Sequence, residues 1–175
     1  NTDDTASQIV AQVNAVSDLT GVAASANSTA TLKDLSADGT VSFELNGKEV
    51  SANVTSNDLT ALADAINNQS SNTGITATLN IAGDEVTLNN QTGDDINIQD
   101  YSNTNSSATL DVAGNIGAES TLTTGKGDST VIGGTVEFKS GAGSFTVTSD
   151  RAADEGGLFA SGANKRNSSE LEAVD

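Results

Sequence analysis

Proline, cysteine, methionine, tryptophan and histidine never occur in this chain of 175 residues. Without histidine or cysteine there is no Ser-His-Asp triad, no Cys-His pair, no imidazole base and no ordinary zinc site. No disulfide can form, so stability has to come from the core and the hydrogen-bond ladders. The missing cysteine removes redox chemistry without assigning a compartment. Basic residues are scarce, 7 Lys and Arg against 24 Asp and Glu, and the net charge of −17 repels phosphate backbones and anionic lipid. Nucleic-acid and membrane-surface partners are therefore not expected. Apolar runs stop at three residues, Val22-Ala23-Ala24 for example, which is too short for a bilayer span or a signal-peptide core.

What remains is dominated by small polar residues: Ser, Thr, Asn and Gly fill 78 of the 175 positions. Leu, Val, Ile and Phe together number 37, about 21%, just above the roughly 20% below which a highly charged chain stays disordered. The reading is an ordered protein with a lean core. The chain opens on Asn1 and stops at Asp175, and we expect a piece of a longer protein.

Two stretches have helical periodicity. Ala6, Ile9, Val10, Val13 and Val16 follow one helical stripe, as do Leu59, Leu62, Ala63 and Ile66 after the capping residues Ser56-Asn57-Asp58. Both stretches close on Thr-Gly, at Thr20-Gly21 and Thr73-Gly74, where glycine supplies the left-handed conformation that ends a helix. An offset of 53 aligns Ile9 with Leu62, Val13-Asn14 with Ile66-Asn67, Ser17 with Ser70, Thr20-Gly21-Val22 with Thr73-Gly74-Ile75, and Ala24 with Ala77. This is an internal duplication of a helix, a Thr-Gly turn and a strand. The stripes Ile9/Val13/Val16 and Leu59/Leu62/Ile66 are both expected to be buried.

Alternating runs on either side of Asn46-Gly47 predict a hairpin that pairs Leu45 with Lys48, Phe43 with Val50 and Val41 with Ala52. The same register sets Glu44 against Glu49. A second hairpin around Gly83-Asp84 pairs Ile81 with Val86 and Leu79 with Leu88, and a third through Ser140 to Gly143 pairs Phe138 with Phe145. Asn103–Ser107 and Gly114–Gly134 read as loose. The fold class is α+β, with antiparallel sheets and hairpins, two short amphipathic helices and a duplicated helix-plus-strands unit. We divide it into a first unit at 1–55, a second at 56–102, a β-rich hairpin segment at 103–160 and a linker at 161–175.

No catalytic, cofactor-binding or metal-binding residue survives scrutiny. Asp94, Asp95 and Asp100 lack the ligand spacing of a calcium loop. Glu44 and Glu49 have the composition of a glycosidase pair but sit on a hairpin's solvent face, in a chain whose 3% aromatic content offers little to stack a sugar. Tyr101, the single tyrosine, is expected to pack at a strand end. Asn27, Asn53, Asn68, Asn90, Asn105 and Asn167 begin Asn-x-Ser/Thr triplets, hardly more than the roughly four that this composition produces by chance. Gly125-Lys126-Gly127 lacks the strand-loop-helix setting of a phosphate loop.

Taken together, these features resemble the central variable region of bacterial flagellin. The segments Val13–Val22 and Asp58–Asn67 are similar to its inserted motif, a short helix ending in Ile/Val-Asn followed by Ser and Thr-Gly-Val. Gly39–Gly47 is similar to the strand that follows, and Ser168–Asp175 to the entry into the C-terminal helical region. The resemblance implies a structural, non-enzymatic role without cofactors: an extracellular, surface-exposed decoration of the motility filament, open to antibodies and phage and in some members O-glycosylated. Its partners would be other flagellin subunits, engaged through terminal helical regions that this sequence lacks, so the isolated chain is expected to be monomeric. The alternatives are a receptor-binding module of a surface adhesin or phage-tail fibre and, last, a secreted hydrolase domain. An adhesin should present a concave or aromatic-lined site, and a hydrolase a paired-carboxylate cleft.

Overall fold

The computed structural model describes residues 4–115 and 118–141. The second strand of the third hairpin, the 161–175 linker and Asn167 lie outside them. The described residues form an α+β fold whose strands assemble into two antiparallel sheets.

Helix α1 (Ala6–Asn14) starts on Thr5, whose side chain accepts from the Gln8 amide while the Gln8 side chain accepts from the Thr5 amide. This reciprocal cap satisfies two of the donors that a helix N-terminus leaves open. A single turn, α2 (Ser17–Thr20), follows and ends on Gly21 at φ 69°. In the second copy, α3 (Thr60–Asn68) is followed by α4 (Ser70–Thr73), which ends on Gly74 at φ 73°. The hydrogen bonds repeat at the offset of 53 that the sequence shows. Thr20 Oγ1 donates to the Val16 carbonyl and Thr73 Oγ1 to the Gln69 carbonyl, both at 3.0 Å. Asn14 exchanges two bonds with the backbone of Ala24, and Asn67 two with that of Ala77.

The strands are β1 (Val22–Lys33), β2 (Gly39–Leu45), β3 (Lys48–Val54), β4 (Thr76–Leu79), β5 (Val86–Asn90), β6 (Ile96–Asn103), β7 (Thr109–Gly114), β8 (Ser120–Thr123), β9 (Thr130–Ile132) and β10 (Thr135–Ser140). One sheet runs β4-β5-β1-β7-β8, with β10 paired to the first half of β1; the other runs β3-β2-β6-β9. The two sequence copies interleave rather than stack. Strand β2 lies between β3 and β6, while β1 is shared by β10, β5 and β7.

Each sheet turns its aliphatic face into one core. Leu32, Leu88, Leu110 and Val112 come from the first sheet, and Val41, Phe43, Leu45, Ile96 and Ile98 from the second. Helix α3 packs against β3 and β4, the edges of the two sheets, and buries Leu62, Ala63 and Ile66 together with its N-cap Leu59. The outer face of the first sheet is hydroxyl-rich: Thr78, Thr87 and Thr31 stand side by side across β4, β5 and β1, with Thr76, Asn89 and Thr29 in the next row.

The Asn46-Gly47 hairpin has the expected register throughout, with positive φ at both turn residues. Three expectations are corrected. The α1 stripe is not buried: only Ala6 is, Ile9 and Val13 are half-buried, and Val16 is 47% exposed. Helix α3 is covered by β3 as well as by its own strand β4, whereas the main strand contacts of α1 are with β1 and β10. The second hairpin pairs Leu79 with Val86 and Ala77 with Leu88, two residues out of the expected register. The reason is Asn80, whose Oδ1 accepts from the amides of Gly83, Asp84 and Glu85 and closes a wider loop that turns Ile81 out to solvent. Gly114–Gly134 is not uniformly loose, since it contains β8 and β9, which pair with β7 and β6.

The difference between the two apolar stripes is measurable. Leu62→Ala should cost about 2–5 kcal/mol in urea unfolding, while Val16→Ala should stay within ~0.5 kcal/mol of the parent. Gly74→Val should cost about 1–2 kcal/mol by the same assay, because a β-branched side chain is strained at positive φ; a Cβ at this position would meet only the Asn90 amide, at 3.7 Å, so crowding adds little.

Candidate functional site

Among the described residues, candidate chemistry is spread over the surface rather than gathered in a cleft. Glu44 and Glu49 face each other across β2 and β3, both exposed. Asp94, Asp95 and Asp100 do not converge. Asp94 accepts hydrogen bonds from the hydroxyls of Ser7 and Thr92, which fastens the start of α1 to the β5–β6 loop. The Ser7 amide also donates to the Gly93 carbonyl at 3.2 Å. Asp100 has φ 55° and falls where the β2–β6 register slips by one residue. This bulge changes the phase of β6, so that Tyr101 points inward after the exposed pair Gln99-Asp100.

Tyr101 is 1% exposed. Burial raises its phenol above the ordinary pKa, while Asn103 and Thr124 nearby act in the opposite direction. Its hydroxyl and Thr124 Oγ1 are both buried outside hydrogen-bonding geometry. The residue packs within β6, next to its end, and carries no exposed reactive group.

A cluster absent from the sequence reading is assembled by strand pairing. Carboxylate oxygens of Asp34, Asp111 and Glu119 lie within 4.8 Å of one another. Lys33 stands opposite Asp111 across β1 and β7, and its ammonium lies 2.7 Å from Glu119 and 3.6 Å from Asp34. The hydrogen bond to Glu119 is the main cause that raises the Lys33 pKa. Only the tertiary pairing brings residues 33, 111 and 119 together, so no local spacing could have revealed the group. With an ammonium in contact with two of its members, it reads as a surface ion-pair network.

Asn53, Val54, Thr55, Asp58 and Ala61 line a depression of about 110 Å³. Its one carboxylate, Asp58, accepts from the Thr60 amide at 2.9 Å, and bonding to Thr60 holds its pKa below the usual carboxylate range. Among the glycosylation triplets, Asn27, Asn53, Asn68 and Asn105 are exposed, while Asn90 is 2% exposed and accepts from Thr92. Gly125 and Gly127 both have positive φ in the turn between β8 and β9. No helix follows there, so the segment is a turn and not a phosphate loop.

No protein-family model matches this chain, and a search of curated proteins finds no match. Among the described residues, no helix is long and apolar enough to cross a membrane.

The Asp94 tether gives a pH dependence. Bonding from Ser7 first and Thr92 second lowers its pKa in the folded chain. Its stabilising contribution is therefore fully present above the ordinary carboxylate pKa of about 3.9 and is lost as the pH falls through the lower, folded value. Asp94→Asn should lose less stability than the parent between pH 7 and pH 3 in paired urea titrations. The difference between the two proteins isolates this group from the other acids.

Proposed function

We propose that this chain is a structural, non-catalytic and solvent-exposed domain of a bacterial flagellar filament subunit, located outside the cell and projecting from the filament surface. The observation that carries the reading is the duplicated unit itself. The motif on which the resemblance rests occurs twice, with the same Asn-to-strand bonds, the same Thr-to-carbonyl bond and the same left-handed glycine in both copies.

Surface chemistry supports it. Threonine rows on the outer sheet face and a net charge of −17 suit a domain that must stay hydrated and resist non-specific association. The core is built from residues of both sheets and α3, all within this chain. Filament contacts in this reading belong to helical regions outside the sequence, and the exposed faces are what antibodies or phage would meet.

Antibodies raised against the folded chain should label intact filaments along their whole length in immunogold electron microscopy. Replacing residues 20–160 by a short linker in the full-length protein should leave filaments that no longer take the label. Label confined to another surface structure, such as an adhesin layer or a phage tail, or loss of all filaments in a well-folded deletion, would overturn the reading.

A further inference from the structure

We infer that Asn14 and Asn67 are strand-edge caps, side chains that stand in for a missing neighbouring strand and keep a second copy of the chain from extending the sheet. Strand β4 ends its sheet. In an antiparallel strand, alternate residues direct their N–H and C=O away from the paired neighbour, and at an edge these groups form a template for another chain. Asn67 occupies one such rung in full. Its Oδ1 accepts from the Ala77 amide at 2.8 Å, and its Nδ2 donates to the Ala77 carbonyl at 2.9 Å. A primary amide offers the same donor and acceptor pair as a peptide group, so the side chain reproduces what a neighbouring strand would supply. Two residues earlier, the Ile75 amide is taken by Thr73 Oγ1 at 3.1 Å.

The first copy repeats the device. Asn14 bonds the Ala24 amide at 2.8 Å and the Ala24 carbonyl at 2.9 Å, and Thr20 Oγ1 accepts from the Val22 amide at 3.3 Å. Here the capped rungs lie on the half of β1 that pairs with β10.

The composition of the two strands is a second, independent support for this role. Edge strands are ordinarily guarded by lysine, by proline, by inward charge, by bulges or by a covering helix or loop. The chain has no proline, and neither Val22–Asn27 nor Thr76–Leu79 contains a charged residue. The −17 charge lies elsewhere in the sequence, so these two edges are guarded by the helices packed beside them and by the Asn and Thr side chains that occupy the rungs. A carboxamide is the required group: aspartate could accept from the edge amide but, ionised, could not donate to the edge carbonyl.

The test uses the whole chain with Asn67→Ala, Asn14→Ala, the double variant and the conservative Asn67→Asp. Val50→Ala serves as a variant destabilised in the core but with both caps intact. Native-state amide exchange should accelerate about tenfold at Ala77 in Asn67→Ala, the equivalent of one net hydrogen bond, and remain at the parental rate there in Asn14→Ala. In sedimentation velocity under native conditions the double variant should show a concentration-dependent, faster species, with Asn67→Asp intermediate, while the parent and Val50→Ala stay monomeric. If the double variant does not fold, Asn67→Asp and Asn14→Ala carry the same comparison. A folded uncapped variant that remains monomeric, an unchanged Ala77 exchange rate in Asn67→Ala, or equal association by Val50→Ala would overturn the inference.

Discussion

Everything in this structure depends on placing a small stock of large aliphatic side chains on one side of each sheet. With about a fifth of the chain in Leu, Val, Ile and Phe and no disulfide to constrain the unfolded state, few such residues can be left outside. The two sheets therefore face each other, and Leu62 and Ile66 close the side that neither sheet covers, both fully buried. Alternation along each strand then forces serine, threonine and asparagine outward, and the hydroxyl-rich exterior follows from the same pattern that fills the core.

Duplication supplied local geometry, not duplicate architecture. Both copies keep the helix, the broken turn, the left-handed glycine and the asparagine bridge, because each is made by residues within about a dozen positions of one another. Their partners differ. The strand of the second copy pairs with β5, the next strand along the chain, whereas that of the first pairs with β10, more than a hundred residues further on. Helix α3 acquired β3 over its apolar stripe, and α1 did not. Equal sequence periodicity thus produced unequal burial, with Ile9 and Val13 half-buried where Leu62 and Ile66 are fully buried, a difference set by what packs above the helix and invisible in the helix itself.

Legibility in the sequence divided along the same line. The Asn46-Gly47 register was readable to the residue because the turn conformation fixes it within the hairpin. The repeat and both Thr-Gly stops were readable for the same local reason. The second hairpin misled because Asn80, which looks like one more polar strand position, turns its side chain back to cap its own loop. The Lys33, Asp34, Asp111 and Glu119 network had no local signal at all, since it exists only once β1, β7 and β8 are adjacent. The Thr5 to Gln8 capping box was a readable start signal for α1 that the periodicity alone passes over.

The division of β1 between partners has a kinetic meaning. Its second half pairs with β5 and β7, but its first half waits for β10, and the contact between Thr135 and Asn27 spans 108 positions of chain. Closing so long a loop is a late event, since its entropy is lost before the contacts are gained. The bridge from Asn14 to Ala24 spans only 10 positions and is available as soon as α1 forms. Along the folding route, the front of β1 is thus held by a side chain close to it in sequence well before the strand that completes it arrives.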